Sequence, residues 1–178
     1  MTLPTVLVAD PPWPFRDKLP GPMRGAEKHY GLLSVEDICN FPLPDLADDC
    51  YLFLWRVASQ VPEAYEVVKA WGFEHKTELV WNKRTKNGKL HFGMGWHVRA
   101  SHEVCIVAVR GKPRPLVRNI RSTFSAKVGA HSEKPCKFYD TVEQLSCGPY
   151  VELFARRTRP GWECYGNELQ PKEMQNVK

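Results

Sequence analysis

The stretch Val6-Leu7-Val8-Ala9-Asp10-Pro11-Pro12-Trp13 joins an apolar run to a carboxylate, two prolines and an indole. Short apolar runs without alternation are typical of strands that are buried on both faces of a sheet. Pro11 and Pro12 end the strand, because proline cannot donate a ladder hydrogen bond and its φ is fixed. The sequence therefore predicts a rigid corner at the carboxyl end of a strand, where open α/β sheets bind their ligands.

This corner has two interpretations. A carboxylate, a fixed backbone carbonyl and an aromatic plate together suit a planar ring that carries an amine, such as a nucleobase. Asp-Pro-Pro is also a common turn, and the tryptophan after it could belong to the core. The stretch by itself is compatible with both, so the rest of the chain has to separate them.

The 178 residues predict one domain, which is long enough to bury about 70% of the surface of the unfolded chain. Hydrophobic residues make up 43% and charged residues 25%, as is ordinary for a soluble globular protein. No apolar stretch approaches the ~20 residues of a membrane span, and the first four residues do not resemble a signal peptide. We therefore expect a cytoplasmic protein that does not bind membranes.

Cysteines and histidines follow no spacing that is typical of metal ligands. None of the six cysteines forms a Cys-x-x-Cys pair, and the six histidines contain no His-x-x-x-His pair. We expect free thiols in a reducing compartment and no structural metal.

The charge distribution is uneven along the chain. Residues 35–80 contain nine acids and three bases, whereas residues 83–137 contain thirteen bases and two acids. Such a basic block indicates either a polyanionic partner or a broad solvated face. The aromatic residues within it, Phe92, Trp96 and Phe124, favour nucleic acid, because phosphates attract cations and unstacked bases attract flat side chains.

Strands and helices are predicted to alternate. Apolar runs predict strands at residues 50–55, 73–81, 102–109 and 150–154, and residues 161–165 are expected to add a hairpin edge. Three serines are candidate helix caps: Ser34 in a capping box with Asp37, Ser59 before Pro62, and Ser132 before a helix that starts at Lys134-Pro135. This order predicts a three-layer αβα sandwich around a mostly parallel sheet.

Three segments lie outside this pattern. Residues 14–33 are rich in proline, glycine and charge, and we expect them to form a lid over a ligand site. Residues 83–101 combine bases with glycines and are expected to form a basic substrate loop, and residues 170–178 a flexible tail. No glycine-rich dinucleotide or triphosphate loop and no serine nucleophile elbow occurs in the sequence.

Seven blocks, in this order, are similar to those of the MT-A70 family of S-adenosylmethionine-dependent N6-adenine methyltransferases. They cover roughly residues 5–169 and are Asp10-Pro11-Pro12-Trp13, Tyr51-Leu52-Phe53-Leu54-Trp55, Glu78-Leu79-Val80-Trp81-Asn82-Lys83, Ser101-His102-Glu103-Val104-Cys105, His131-Ser132-Glu133-Lys134-Pro135, Glu152-Leu153-Phe154-Ala155-Arg156 and Gly161-Trp162-Glu163-Cys164-Tyr165-Gly166-Asn167-Glu168. The resemblance implies a Rossmann-like methyltransferase fold in which the target-amine motif precedes the cofactor strand.

The resemblance also implies roles for the opening corner. Adenine's exocyclic amine is a poor nucleophile, since its lone pair is delocalised into the ring. The Asp10 carboxylate and the Pro11 carbonyl would accept its hydrogens, Pro12 would stiffen the turn, and Trp13 would stack on the base. Ala9 and Asp10 would also border the cofactor.

S-adenosylmethionine is the cofactor that the resemblance implies. Lys134 would meet its methionine carboxylate near a helix start, with Glu103 holding that lysine in place. The remaining cofactor residues would be Phe154, Arg156, Asn167 and Glu168. Phe154 could equally be a core residue and Asn167 a turn residue, and residues 157–159 do not match the His-Asn found in some members.

A base in a duplex must be flipped out or already unpaired before its amine can reach such a corner. Tyr30 in the lid, together with Trp81, Lys83 and Arg84, would flank that base. A compact single-domain member is more similar to bacterial or phage DNA methylases, so DNA is favoured over RNA.

The alternatives are adenine methylation of RNA, cytosine N4 methylation, a small-molecule enzyme, and a catalytically silent nucleic-acid-binding subunit of a methyltransferase complex. Sequence specificity is expected to be loose or supplied by a second subunit, and a homodimer is possible.

Overall fold

The computed structural model describes residues 2–14, 32–129, 133–167 and 169. The expectations for Tyr30, Ser132 and Glu168, for nearly all of the lid at 14–33 and for the tail at 170–178 therefore lie outside the described residues. The described elements are β1 (Val6–Ala9), α1 (Val35–Cys39), β2 (Cys50–Arg56), a 3-10 turn (Ala58–Gln60), α2 (Val61–Ala70), β3 (Glu74–Arg84), β4 (His102–Arg110), β5 (Thr123–Lys127), α3 (Cys136–Leu145), β6 (Tyr150–Leu153) and β7 (Trp162–Tyr165).

The seven strands form one sheet in the order β5-β3-β4-β2-β1-β6-β7. β1 lies in the middle of its parallel part, paired in parallel with β2 and β6. Among the described strands, β4 is the one that runs against its neighbours, β2 and β3. The expectation of a mostly parallel α/β sheet is confirmed.

The antiparallel direction of β4 has a geometric effect at one edge of the sheet. The carboxyl ends of β1, β2, β3 and β6 meet at this edge, and β4 begins there because it runs in the opposite direction. Side chains at the start of β4 can therefore join those that follow the other strands.

Two apolar layers cover the sheet. Alternate residues along each strand point to opposite faces. Leu7 and Ala9 of β1 join the core beneath α1 and α2, whereas Val6 and Val8 join the core beneath α3. This gives the predicted three-layer sandwich.

Helix starts differ from the predicted caps in two cases. Ser34 and Asp37 form the expected capping box. Gln60, not Ser59, precedes α2 and makes no side-chain cap bond, since Ser59 belongs to the 3-10 turn. α3 begins at Cys136 after Pro135, so the predicted start at Lys134 is wrong by two residues and Lys134 precedes the helix.

Two edge strands also differ from expectation. β7 pairs in parallel with β6, so the predicted hairpin at residues 161–165 is wrong. β5 was not predicted, because only Phe124 of its five residues is buried and the segment has no apolar run. Among the described residues, no helix is long and apolar enough to cross a membrane.

Glu152 is a buried acid within the sheet, with 7% of its surface exposed. It lies beside Val8 on β6 and accepts a hydrogen bond from the Tyr139 hydroxyl of α3 at 2.8 Å. Burial, aided by the negative charge of Asp10, raises the pKa of Glu152 to about 7, although the Tyr139 bond and the charges of Arg159 and Lys134 act in the opposite direction.

We predict that this carboxyl makes stability fall as pH rises. Between its ordinary pKa of 4.5 and about 7, the unfolded chain releases the proton while the folded chain keeps it. The contribution is therefore fully present below pH 4.5 and is lost as pH rises through 7. This shift in the pKa corresponds to about 3 kcal/mol in the free energy of unfolding.

Glu152→Gln should flatten this dependence and should be more stable than the wild type at pH 8, as measured by urea unfolding from pH 4 to 8. Glu66→Gln, on the exposed face of α2, is the matched control and should keep the wild-type slope. An unchanged slope in Glu152→Gln would contradict the assignment.

Candidate active site

Charged side chains from three parts of the chain meet at the sheet edge where β4 begins. Asp10 follows β1, Glu103 lies at the second position of β4, and Lys134 precedes α3. Glu103 lies two residues before Cys105 on β4, and Cys105 belongs to the core beneath α3. Strand alternation therefore directs it to the face from which Lys134 approaches.

The Lys134 ammonium joins the two carboxylates. Its Nζ lies 2.7 Å from Asp10 Oδ2 and 3.3 Å from Glu103 Oε2. Glu103 also pairs through Oε1 with Lys83 from the end of β3. The site is thus a row of alternating charges, Asp10, Lys134, Glu103 and Lys83, and Glu103 contacts Lys134 as the sequence predicted.

This row fixes the protonation states of Lys134 and Glu103. Burial acts to lower the pKa of Lys134, but the charges of Asp10 and Glu103 outweigh it and raise that pKa above its ordinary value. Burial acts to raise the pKa of Glu103, and the ammonium groups of Lys134 and Lys83 outweigh it and lower that pKa. Lys134 is therefore a cation and Glu103 an anion at neutral pH.

Trp55 forms the floor beneath the ammonium. The Lys134 Nζ lies 4.9 Å from the centroid of the Trp55 ring, a cation–π distance. The indole is 2% exposed and meets the Phe138 ring of α3 edge-on at 4.8 Å. Sequence analysis did not assign Trp55 to the site. The usable signal was its position near the end of an apolar strand, because Asp10 also lies at the end of such a strand.

A cavity of about 330 Å³ opens beside these charges. Eight residues of its wall were predicted from the sequence: Asp10, Pro11, Pro12, Trp13, Lys83, Glu103, Lys134 and Arg156. The other described residues of its wall are Leu32, Trp55, Arg56, Val57, Ala58, Ala100, His102 and Val104. The structure therefore brings together residues that are more than 120 positions apart in the chain.

The Asp-Pro-Pro-Trp corner is both a structural turn and part of the cavity wall. The Trp13 amide donates to the Pro11 carbonyl at 2.8 Å, and the Trp13 indole N–H donates to the Trp55 carbonyl at 2.9 Å. The first bond closes the turn, and the second ties the end of β1 to the end of β2. Trp13 borders the cavity but is only 3% exposed, so a full stack on a base would require the side chain to move.

Five predicted residues lie elsewhere among those described. Ala9 is fully buried in the core, and Trp81 is buried with its indole N–H donating to the Ala126 carbonyl at 3.0 Å. Arg84 is bonded at 3.3 Å to Ser125 of β5. Phe154 packs on Phe41, with ring centroids 4.6 Å apart. Asn167 is exposed.

The backbone nevertheless brings Asn167 to the turn after β6. The Ala155 amide donates to the Tyr165 carbonyl at 2.9 Å, and a side chain on Gly166 would collide with the Ala155 carbonyl. Phe154 has a φ of 61°, an uncommon value for a residue with a side chain. The turn that carries Arg156 is therefore held in one tight conformation.

Two further wall residues were missed by sequence analysis. Arg56 is paired with Glu78 at 3.0 Å, and His102 opens β4 one residue before Glu103. Polar residues at the ends of apolar strands were the available signal for both. Within the described ranges, no three His, Cys, Asp or Glu side chains are grouped so that they could hold a metal ion.

Comparison with known proteins gives the family. The MT-A70 family model matches residues 4–168. An N(6)-adenosine-methyltransferase MT-A70-like protein of Drosophila melanogaster is 32% identical over 170 residues, which cover 92% of this chain and 26% of that protein. The human N(6)-adenosine-methyltransferase catalytic subunit METTL3 is 31% identical over 170 residues, with coverages of 92% and 28%.

A bacterial relative has a length closer to that of this chain. Type II methyltransferase M.MunI of a Mycoplasma species is 29% identical over 191 residues, which cover 96% of this chain and 79% of that protein. By contrast, the chain spans only about a quarter of the length of the fly and human relatives. The family match extends over nearly the whole chain and contains all four members of the row of alternating charges, and on this basis the protein belongs to the MT-A70 family.

Proposed function

We propose that this protein transfers the methyl group of S-adenosylmethionine to the N6 amine of adenine in DNA. The observation that carries the proposal is the Asp10–Lys134 pair in the wall of the cavity, at 2.7 Å. It provides a carboxylate for an amine and an ammonium for a carboxylate within one recess. Family membership supports this chemistry.

The residues present fit S-adenosylmethionine. A cavity of about 330 Å³ is within the range of small-molecule sites, which is about 300–1,000 Å³. Lys134 suits the carboxylate of the methionine part, and Arg156 in the same wall suits a carboxylate or ribose oxygen. Asn167 and Phe154, on the adjoining turns, would complete the site. When bound, the cofactor supplies a methyl group on a sulfonium centre.

Asp10 orients the target amine. An ionised carboxylate has about four lone-pair sites, so the bond from Lys134 leaves capacity for a hydrogen of the adenine amine. The Pro11 carbonyl, on the rigid turn, is the second acceptor. Two acceptors draw electron density toward the nitrogen and fix the direction of its lone pair, and alignment of this kind can supply much of the acceleration.

Lys134 links the Asp10 corner, which would hold the target amine, to the part of the site that would hold the cofactor. It keeps Asp10 close to the cavity, and it would share its charge between Asp10 and the carboxylate of the cofactor. Glu103 holds Lys134 from the other side at 3.3 Å, so the lysine need not leave its position when a new partner arrives.

DNA is favoured as the substrate because of the bacterial relative. M.MunI is named a type II methyltransferase and is matched over 79% of its length, whereas the adenosine methyltransferases are matched over about a quarter of theirs. The excess of bases in residues 83–137 suits any nucleic acid. RNA is the second candidate, supported by the higher identities to the adenosine methyltransferases.

The proposal is tested by incubating the purified protein with isotopically labelled S-adenosylmethionine and with unmethylated DNA or RNA in separate reactions. Mass spectrometry of the digested products should find labelled N6-methyladenine in DNA. Label in RNA alone would favour the second candidate. Cofactor binding without transfer to either polymer would support a silent subunit and would refute the enzymatic proposal.

We predict that Asp10→Asn lowers kcat by about 100-fold or more, the scale of losing a preorganised polar contact to the reacting group. The affinity for S-adenosylmethionine, measured by calorimetry, should stay within about tenfold, since Lys134 and Arg156 are retained. Asp140→Asn makes the same charge change on the exposed side of α3 and should leave kcat unchanged. Near-wild-type turnover in Asp10→Asn would remove Asp10 from the mechanism.

We predict that Lys134→Gln weakens cofactor binding by about tenfold or more, because a bond to a charged partner contributes about 1.5–3 kcal/mol. Lys137→Gln, three residues later on an exposed position of α3, is the matched control. Calorimetry on both variants, with thermal unfolding to verify folding, makes the comparison. Equal affinities in the two variants would exclude a contact between Lys134 and the cofactor.

A further inference from the structure

The connection between β3 and β4, residues 85–101, exposes five large apolar side chains at alternate positions, the first of which, Leu90, is 52% exposed. Phe92, Met94, Trp96 and Val98 are 76%, 84%, 91% and 79% exposed. Exposed apolar groups in such a cluster are unfavourable in water, and they mark interaction sites when the surrounding backbone is ordered. We refer to residues 85–101 as the β3–β4 loop.

The loop is a folded unit that holds these side chains outward. The Gly93 amide donates to the Ala100 carbonyl at 2.9 Å, and the Ala100 amide returns a bond to Met94 at 3.2 Å. A side chain on Gly93 or Gly95 would collide with the facing carbonyls of Ala100 and Val98. The two arms are therefore packed backbone to backbone, which leaves the apolar side chains no room between them.

Trp96 is the most exposed of the five. Phe92 is partly covered by the Arg99 guanidinium, 5.3 Å from its ring, and Arg99 also donates to the Gly95 carbonyl at 3.1 Å. Trp96 lies at the bend that joins the two arms, and it is 91% exposed. It is thus a large flat side chain carried on a fixed support.

The base of the loop is part of the candidate active site. Lys83 and His102, on the strands that the loop connects, and Ala100 within the loop all line the cavity that contains Asp10. Residues 83–101 contain five lysines or arginines and no acid. The loop and the strand end that carries it are therefore complementary to a phosphate backbone, and their base adjoins the place where an adenine amine would react.

We propose that the β3–β4 loop is a base-extrusion wedge, in which Trp96, with Met94 beside it, enters duplex DNA at the position vacated by the target adenine. This inference rests on the proposed function. An amine in a duplex cannot reach Asp10 in its recess unless the nucleotide leaves the stack, and unstacking costs a few kcal/mol per step. An apolar plate in the gap offsets that cost, while the cations of the loop contact the flanking phosphates.

The experiment compares wild type with Trp96→Ala on three DNA substrates of the same sequence: a matched duplex, the single strand, and a duplex with a mismatch opposite the methylated adenine. That adenine is first located by sequencing DNA that the wild type has modified. Because a mismatched or single-stranded base is already easier to unstack, only the matched duplex needs the wedge.

The expected result is a loss of about tenfold or more in the rate on the matched duplex, the equivalent of one weakened unstacking step. Rates on the single strand and on the mismatched duplex should stay within about threefold of the wild type, a difference below 1 kcal/mol. Leu116→Ala removes another exposed apolar side chain, 60% exposed in the same basic half of the chain, and should leave all three rates unchanged.

Three outcomes would overturn the wedge while leaving the proposed function intact. These are equal rates for Trp96→Ala and wild type on the matched duplex, an equal loss on all three substrates, and a wild-type enzyme that acts on single strands alone. Self-association of the wild type that Trp96→Ala abolishes, measured by light scattering, would assign the loop to a contact between copies of the chain and would also overturn the wedge. Absence of transfer by the wild type to any DNA would refute the proposed function itself.

Discussion

The buried ammonium of Lys134 is the charge on which the arrangement of the sheet edge depends. Its side chain is 9% exposed, and it contacts carboxylates that come from β1 and from β4. Removing a partner from a buried pair leaves an uncompensated charge and costs about 3–5 kcal/mol. The end of β1, the start of β4 and the segment before α3 are therefore held in register by one nitrogen atom, and Trp55 supports that atom from below at 4.9 Å.

The same ammonium determines how positive and negative charges are arranged in the site. Asp10 and Glu103 both contact it, and its charge helps to lower the pKa of Glu103. A ligand that carries both a carboxylate and a cationic centre meets both signs of charge in one recess. The rigid Pro11-Pro12 turn, tied to β2 through the Trp13 indole at 2.9 Å, keeps the Asp10 carboxylate at the mouth of that recess.

Sequence predicted the strands that carry strong apolar runs, the layers and the Asp10 corner, because burial on both faces and the chemistry of proline are local properties. It did not predict the direction of β4, because a hydrophobic pattern does not show which way a strand runs. It also did not predict β5, in which only Phe124 is buried. Trp81 was expected near the substrate and lies in the core, since whether an aromatic side chain is covered depends on distant residues such as those of β5. The Asp10–Lys134 contact joins positions 124 residues apart, and a resemblance to a family, not local pattern, indicated that both belong to one site.

The reversed direction of β4 has a consequence for how this architecture can diversify. In a purely parallel sheet, the chain that leaves one strand must travel to the far edge before the next begins, and a helix normally occupies that path. Here β3 and β4 are joined directly across the edge that carries the candidate site. Insertions, deletions and replacements in that connection alter the surface beside the cavity while the two apolar cores stay the same. Under the proposed function, target preference can drift in this one short segment independently of Asp10, Lys134 and Glu103.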